Sequence, residues 1–289
     1  MTAPSDVSLA RRRGLLVRLT VAPAVLATVV GLLWWHDRSG SSAPTDVVLL
    51  LLGAGAAWET ATMLGAAGRG PARSTAVLFS AALAGLGLLA PDDPGLRASA
   101  RSLLLALAVL VAFAGHFRAV RDGDLDRLLA TLFPVVYVGY LLGLLREVGD
   151  GPAGARCILF VVVASKASDI GGWVVGKAIG RHKMLPSVSP GKTWEGTAGG
   201  LAFSIGAALL VLQLTGPLPG LAERPAEAAA LGLLLGVASI LAGLTQSALK
   251  RRCGVKDSST LLPEMGGLLD MVDSLLLAAP AALLWSLLR

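Results

Sequence analysis

The sequence predicts an all-α, polytopic integral membrane protein, a helical bundle with about nine transmembrane helices. Of its 289 residues, 54% are hydrophobic and only 15% are charged, and the mean hydropathy is +0.71. An ordinary soluble domain carries about 25% charged residues. Apolar runs of roughly 20 residues, the length that crosses a bilayer, follow one another between short polar breaks. These observations exclude a single water-soluble domain, a disordered chain and a coiled coil.

The first apolar run begins after Arg11, Arg12 and Arg13 and ends at Trp34 and Trp35. A cleaved signal peptide is the alternative, but the run is longer than a signal core and ends in tryptophans typical of a membrane interface. We therefore predict a transmembrane helix there. The predicted spans are 11–35, 46–66, 74–90, 99–117, 129–145, 157–177, 197–215, 227–249 and 268–288.

The loops between these spans predict the orientation. With the N-terminus in the cytoplasm, more than twice as many lysines and arginines lie in cytoplasmic loops as in outer loops, as the positive-inside rule requires. The net charge of +6 resides largely in these short loops, which favours lipid or phosphate partners over nucleic acid. We treat the chain as one membrane domain, with N-terminal helices at 1–156 and a motif-rich C-terminal region at 157–289.

Glycine is abundant, at 35 residues, and recurs every four positions at Gly172, Gly176 and Gly180. This spacing favours close packing of helices over a binding role, because small residues let membrane helices approach one another. The same glycine faces permit a homodimer without requiring one.

Polar residues interrupt the sixth predicted span at Ser165, Lys166 and Asp169. Lys166 and Asp169 are three residues apart, so they share a helix face and can pair. Ionisable groups inside a span are costly and usually face a polar cavity. A structural ion pair that locks two helices is the alternative, and we favour the lining of a site.

The loop before the seventh span contains Gly191, Lys192 and Thr193, which imitate the end of a Walker A loop. That motif needs a glycine where this chain has Pro186, so we reject a P-loop. A turn that begins at Ser189 instead delivers Lys192 and Thr193 to a helix start, where free backbone N–H groups favour an anion. A basic loop that touches lipid headgroups remains an alternative.

The densest cluster of polar residues extends from Ser247 to Ser274. Asp270 and Asp273 are three apart at the opening of the last span, so both carboxylates lie on one helix face. Helix capping explains one acidic residue there but not the second. Carboxylates facing cations favour Mg²⁺ with a polyphosphate over a polar helix entry beside an ordinary basic loop. The nearby cations are Lys250, Arg251, Arg252 and Lys256.

These residues resemble the C-terminal motif of the CDP-diacylglycerol synthase family, also called phosphatidate cytidylyltransferase. The matching positions are Ser247, Lys250, Arg251, Lys256, Asp257, Ser258, Leu262, Pro263, Gly266, Gly267, Asp270, Asp273 and Ser274. Asp169 and the segments 180–183 and 189–196 are similar to the family's upstream block. The resemblance covers residues 157–289, whereas the first half is similar only in being a series of hydrophobic spans.

The resemblance implies an enzyme of phospholipid biosynthesis, in the inner membrane of a bacterium, that joins CTP to phosphatidate and releases pyrophosphate. It implies that Asp257, Asp270 and Asp273 bind Mg²⁺, with a second, monovalent cation left open, and that Lys256 joins them as catalytic residues. The implied substrate-binding residues are Lys166, Asp169, Ser189, Lys192, Thr193, Ser247, Lys250 and Arg251.

The chain departs from the family motif at several positions. Met265 and Met271 replace a histidine and an arginine, and Gly243 and Gln246 stand where the motif has an aspartate and a glutamate. A catalytically inactive relative that acts as a membrane scaffold would explain these four changes together. A transporter or flippase would use the ionisable residues within the sixth span, but has no need for the acidic and basic cluster at a cytoplasmic helix start.

Overall fold

The computed structural model describes residues 27–90, 93–117, 124–151, 153–259, 261 and 266–289. Ten helices and one short hairpin make up the described chain, and we number them in order. The helices are α1 (27–39), α2 (Ala43–Ala66), α3 (Arg73–Ala84), α4 (Pro94–Phe117), α5 (Asp124–Pro134), α6 (Leu141–Val148), α7 (Gly154–Ile179), α8 (Trp194–Thr215), α9 (Pro225–Arg252) and α10 (Leu268–Leu287), and the strands are β1 (Lys183–Leu185) and β2 (Ser189–Thr193).

The prediction of an all-α polytopic membrane protein is confirmed. Within the described residues, seven helical segments are long and apolar enough to cross a membrane: α2, most of α4, the continuous stretch Leu125–Val148, α7, α8, α9 and α10. The predicted span 74–90 is instead the short helix α3 followed by a 3₁₀ turn at Leu86–Leu88. Most of the predicted first span lies outside the described residues, and its end, residues 27–35, belongs to α1.

The predicted span 129–145 corresponds to α5 and α6, joined by a π-helical turn at Val135–Tyr140. The turn follows Pro134, which has no N–H for the helical ladder. Ser80 on α3 donates a hydrogen bond to the carbonyl of Pro134 (3.1 Å). Gly139, in the π-helical turn, approaches the backbone of Ser80 so closely that a side chain there would collide with it. The irregular turn therefore packs tightly on α3.

Glycines also bring α7, α8 and α9 into close contact. A Cβ atom on Gly196 would lie 2.7 Å from the carbonyl oxygen of Gly172, and one on Gly200 would lie 2.7 Å from that of Ser168. A Cβ atom on Gly236 of α9 would lie 3.0 Å from Leu201 and 3.1 Å from Ser204 of α8. The regular glycine spacing thus serves packing within the chain, as the sequence predicted.

A buried network of charges joins α2, α4 and α6. Arg146 contacts Asp46 (3.0 Å) and Asp150 (2.7 Å), and Arg97, which is fully buried, contacts both Asp150 and Glu147. Counting along the sequence places these arginines in outer loops, whereas the structure buries them with carboxylate partners. Because each buried charge has a partner, the network fixes three helices relative to one another.

Candidate functional site

Three ionisable residues meet between α7 and α10. The Nζ atom of Lys166 lies 3.5 Å from Oδ2 of Asp169, on its own helix, and 3.5 Å from Oδ1 of Asp273, on α10. Side-chain exposure is 35% for Lys166, 42% for Asp169 and 19% for Asp273. We call these three residues the central triad. The predicted pairing within α7 is therefore present, and the pair faces a second carboxylate.

Helix α9 packs beside the central triad and contacts it through Ser239. The Oγ atom of Ser239, which is fully buried, lies 3.1 Å from the carbonyl oxygen of Ser165 and 3.3 Å from Oδ1 of Asp169. One carboxylate of the triad is therefore held in place from a neighbouring helix. The other, Asp273, accepts a hydrogen bond from the backbone N–H of Ser274 (2.6 Å).

Asp270, one turn before Asp273, has a different set of partners. Its Oδ1 atom lies 2.8 Å from Nζ of Lys250 on α9. Its Oδ2 atom accepts hydrogen bonds from the backbone N–H groups of Ser258 and Gly267 (both 3.0 Å), and it lies 2.9 Å from the Ser258 Oγ atom. Asp270 therefore ties Lys250 and the loop after α9 to the first turn of α10.

Glu59 on α2 is a site residue that the sequence analysis missed. Its side chain is almost fully buried and accepts hydrogen bonds from the hydroxyls of Ser258 and Ser259 (2.8 and 2.6 Å). It also accepts from the backbone N–H groups of Leu268 and Leu269 (both 2.9 Å), so it caps α10. An acidic residue within the predicted span 46–66 is the signal that points to it.

The β1–β2 hairpin delivers Lys192 and Thr193 to the start of α8. Thr193 is buried, and its Oγ1 atom accepts a hydrogen bond from the N–H of Gly196 (3.1 Å), so this predicted substrate-binding hydroxyl is a helix cap. Glu195 accepts hydrogen bonds from the backbone N–H groups of Arg181 and His182 (3.1 and 3.2 Å), which closes the base of the hairpin.

A cavity of about 270 Å³ lies between the hairpin, α7, α8 and α9. Its lining includes Ser168, Asp169, Trp173, Ser189, Lys192 and Thr193. Burial lowers the pKa of Lys192, and the nearby carboxylates of Asp169 and Asp273 oppose this shift. The predicted Lys192, Ser189 and Thr193 therefore share one cavity with Asp169 of the central triad.

The three carboxylates predicted to bind metal do not form one cluster. Asp257 is exposed, Asp270 is paired with Lys250, and Asp273 faces Lys166. Within the residues that the structure describes, no group of three or more His, Cys, Asp or Glu side chains is arranged to hold a metal ion. What the structure brings together is the pair Asp169 and Asp273, and two carboxylates fit Mg²⁺ when substrate phosphates supply further ligands.

The remaining predicted residues lie on α9 and in the segment that follows it. Ser247 donates a hydrogen bond to the carbonyl of Gly243 on its own helix (2.7 Å). Lys250 is held by Asp270, whereas Arg251 and Lys256 are exposed where α9 ends. The departure at Gln246 is buried, and its Nε2 atom donates to the carbonyl of Leu269 (2.9 Å), a contact that an ionised glutamate cannot make. Leu262, Pro263 and Met265 lie outside the described residues.

Comparison with known proteins decides the family. The model of the Cytidylyltransferase family matches residues 16–288. The chain belongs to this family. A phosphatidate cytidylyltransferase of Brucella suis is 41% identical over 150 residues, which are 52% of this chain and 53% of that protein. One from Mycobacterium bovis is 36% identical over 153 residues, 53% of this chain and 48% of that protein.

The chain is also similar to the uncharacterized protein YnbB of Escherichia coli, which is 41% identical over 150 residues, 52% of this chain and 48% of that protein. The chain thus spans about half the length of these curated relatives. The family resemblance predicted from the motifs is confirmed, and the match extends into the N-terminal half, where the sequence analysis found only hydrophobic spans.

Proposed function

We propose that this chain is a phosphatidate cytidylyltransferase, which transfers CMP from CTP to phosphatidate and gives CDP-diacylglycerol and pyrophosphate. The observation that carries the proposal is the cavity that Lys192 and Asp169 share beside the central triad, in a bundle built to cross a membrane. The reaction brings a lipid phosphate and a nucleotide phosphate together. It therefore needs a cavity with cations and carboxylates next to the apolar helices that hold the lipid. The names of the relatives in Brucella suis and Mycobacterium bovis support the same reaction.

The chemistry requires no protein nucleophile. A phosphate oxygen of phosphatidate attacks the α-phosphorus of CTP, and the bond from this phosphorus to the oxygen that bridges the β-phosphorus breaks. Pyrophosphate leaves with that electron pair. The protein contributes by aligning the two phosphates and by neutralising the charge that builds up on their oxygens.

The residues of the cavity suit these tasks. Lys192 reaches into the cavity as a cation for the triphosphate, and Lys166 provides a second cation between the two carboxylates of the central triad. Lys250, which Asp270 holds in place, and the exposed Arg251 and Lys256 lie at and after the end of α9, and we assign them to charge neutralisation of the departing pyrophosphate. Trp173 also lines the cavity and is 61% exposed, so its ring is available to the acyl chains of phosphatidate.

Mg²⁺ is the proposed cofactor. Asp273 and Asp169 would hold it, and when bound it supplies positive charge to the phosphate oxygens. We further propose that the hairpin and the start of α10 face the cytoplasm of a bacterium, where CTP is available. The excess of lysine and arginine in the loops on that side supports this orientation.

The test is the incorporation of labelled CTP into chloroform-soluble lipid by the purified chain in micelles that contain phosphatidate. We expect label that depends on Mg²⁺ and is lost in Asp273→Asn, whereas Asp126→Asn, an exposed aspartate on α5, retains it. Folding is checked by the membrane level and thermal unfolding of each variant. Absence of label from folded wild-type protein would refute the proposal and favour an inactive scaffold. Movement of phosphatidate between the leaflets of vesicles that contain the chain, without CTP, would favour a flippase.

A further inference from the structure

The ammonium group of Lys192 rests directly on the backbone of α9. Its Nζ atom donates a hydrogen bond to the carbonyl oxygen of Ile240 (3.2 Å). A Cβ atom built on Gly243 would lie 2.7 Å from the same Nζ atom, closer than real Cβ atoms approach their neighbours. The ammonium therefore occupies the space that any side chain at position 243 would take.

This contact lies on the face of α9 that adjoins the central triad. Ser239 and Gly243 are four residues apart, so they share one helix face. Ser239 contacts Asp169 of the triad, and Gly243 leaves room for Lys192 one turn later. The cation is thus held next to the two carboxylates, although it comes from the hairpin before α8.

An ammonium group has three N–H donors, and the contact with Ile240 uses one of them. The other two remain available to phosphate oxygens in the cavity that Lys192 lines. A lysine side chain is flexible, so the position of its charge depends on what its tip contacts. In this chain the Lys192 ammonium contacts the carbonyl oxygen of Ile240 and lies against α9 at Gly243, where there is no side chain.

We propose that Gly243 is a positioning residue: because it has no side chain, the Lys192 ammonium rests on α9, where it binds the polyphosphate of the nucleotide. The inference rests on the proposed function, and it gives a role to a position where the family motif carries an aspartate. The departure at Gly243 is then an adaptation that places a cation, rather than a carboxylate, at this point of the cavity.

The test uses Gly243→Ala. The added methyl group meets only the tip of a flexible side chain, and alanine favours a helix, so α9 remains intact while the ammonium leaves its seat. We expect KM for CTP to rise about tenfold, the effect of losing one charge-assisted hydrogen bond, with kcat and KM for phosphatidate changed much less. The matched control is Gly206→Ala on α8, where a Cβ atom has no neighbour within 4 Å.

A double-mutant cycle links the effect to Lys192. Lys192→Ala alone and together with Gly243→Ala should raise KM for CTP equally, because the methyl group has no cation left to displace. Additive effects, an unchanged KM in Gly243→Ala, or failure of this variant to fold would each overturn the inference. Failure to fold would mean that the added methyl group collides with backbone atoms and not with the Lys192 side chain.

Calorimetric titration of the detergent-solubilised chain with CTP, without phosphatidate, separates this inference from the proposed function. If the wild type binds CTP but forms no lipid product, the proposed function fails, and the dissociation constants of the same variants still decide the role of Gly243. If the wild type does not bind CTP, both fail.

Discussion

Glu59 on α2 and Ser258, which follows α9, are joined by a hydrogen bond of 2.8 Å across 199 positions of sequence. The Ser258 Oγ atom also lies 2.9 Å from Asp270, so two carboxylates from opposite ends of the chain meet at one hydroxyl. The N-terminal half is therefore part of the site. It holds the start of α10, on which Asp273 stands one turn later.

We predict that Glu59→Gln impairs both stability and catalysis. The new amide donor would face hydroxyl and backbone donors, and a buried group left without a partner costs about 1–3 kcal/mol. Because the start of α10 would shift, kcat should fall about tenfold or more, since small displacements of reacting groups are costly. Thermal unfolding and lipid labelling measure the two effects. Glu223→Gln, at an exposed carboxylate, is the control, and equal behaviour of both variants would contradict the capping role.

Much of the fold follows from the sequence because apolar runs of membrane length have few alternative structures. The missing long helix at 74–90 shows the limit, since hydropathy alone does not reveal that α3 ends at Ala84 and continues as a 3₁₀ turn. At the site, Lys166 and Asp169 are predictable because they are neighbours on one helix. Glu59 is not, because its partners come from the far end of the chain and only tertiary packing brings them together.

The second prediction concerns the metal ligands. It distinguishes a site formed by Asp169 and Asp273 from a site formed by three carboxylates. Asp169→Asn and Asp273→Asn should each weaken the apparent affinity for Mg²⁺, because each removes a charge from the pair around Lys166. Asp257→Asn should leave it nearly unchanged, since Asp257 is exposed. Calorimetric titration with Mg²⁺ in the presence of CTP tests this, because Asp273→Asn is expected to have no activity to titrate. A loss in Asp257→Asn as large as in Asp273→Asn would instead support the trio predicted from the sequence.

A third prediction concerns the charge of Lys192. Burial lowers the pKa of this ammonium, so as pH rises its charge is lost earlier than that of an exposed lysine. KM for CTP should therefore increase at alkaline pH, while the cationic form and tight binding persist below the pKa. Lys192→Arg should flatten this profile, because a guanidinium stays charged throughout the range. If KM for CTP rises by the same factor at alkaline pH in Lys192→Arg, the group that titrates is not Lys192.

The buried network around Arg146 gives the last prediction, which concerns stability alone. Arg146→Ala would leave the carboxylate of Asp46, which is fully buried, without its guanidinium partner, and such a loss costs about 3–5 kcal/mol. The network lies far from the site, because Asp46 and Glu59 are separated by about 20 Å along α2. The temperature of thermal unfolding should therefore fall markedly, while kcat per folded molecule stays constant.

The double variant Arg146→Met with Asp46→Leu should recover part of the stability, since no unpaired carboxylate remains at position 46. A fall in kcat equal to that of Glu59→Gln would show that the network also positions the site.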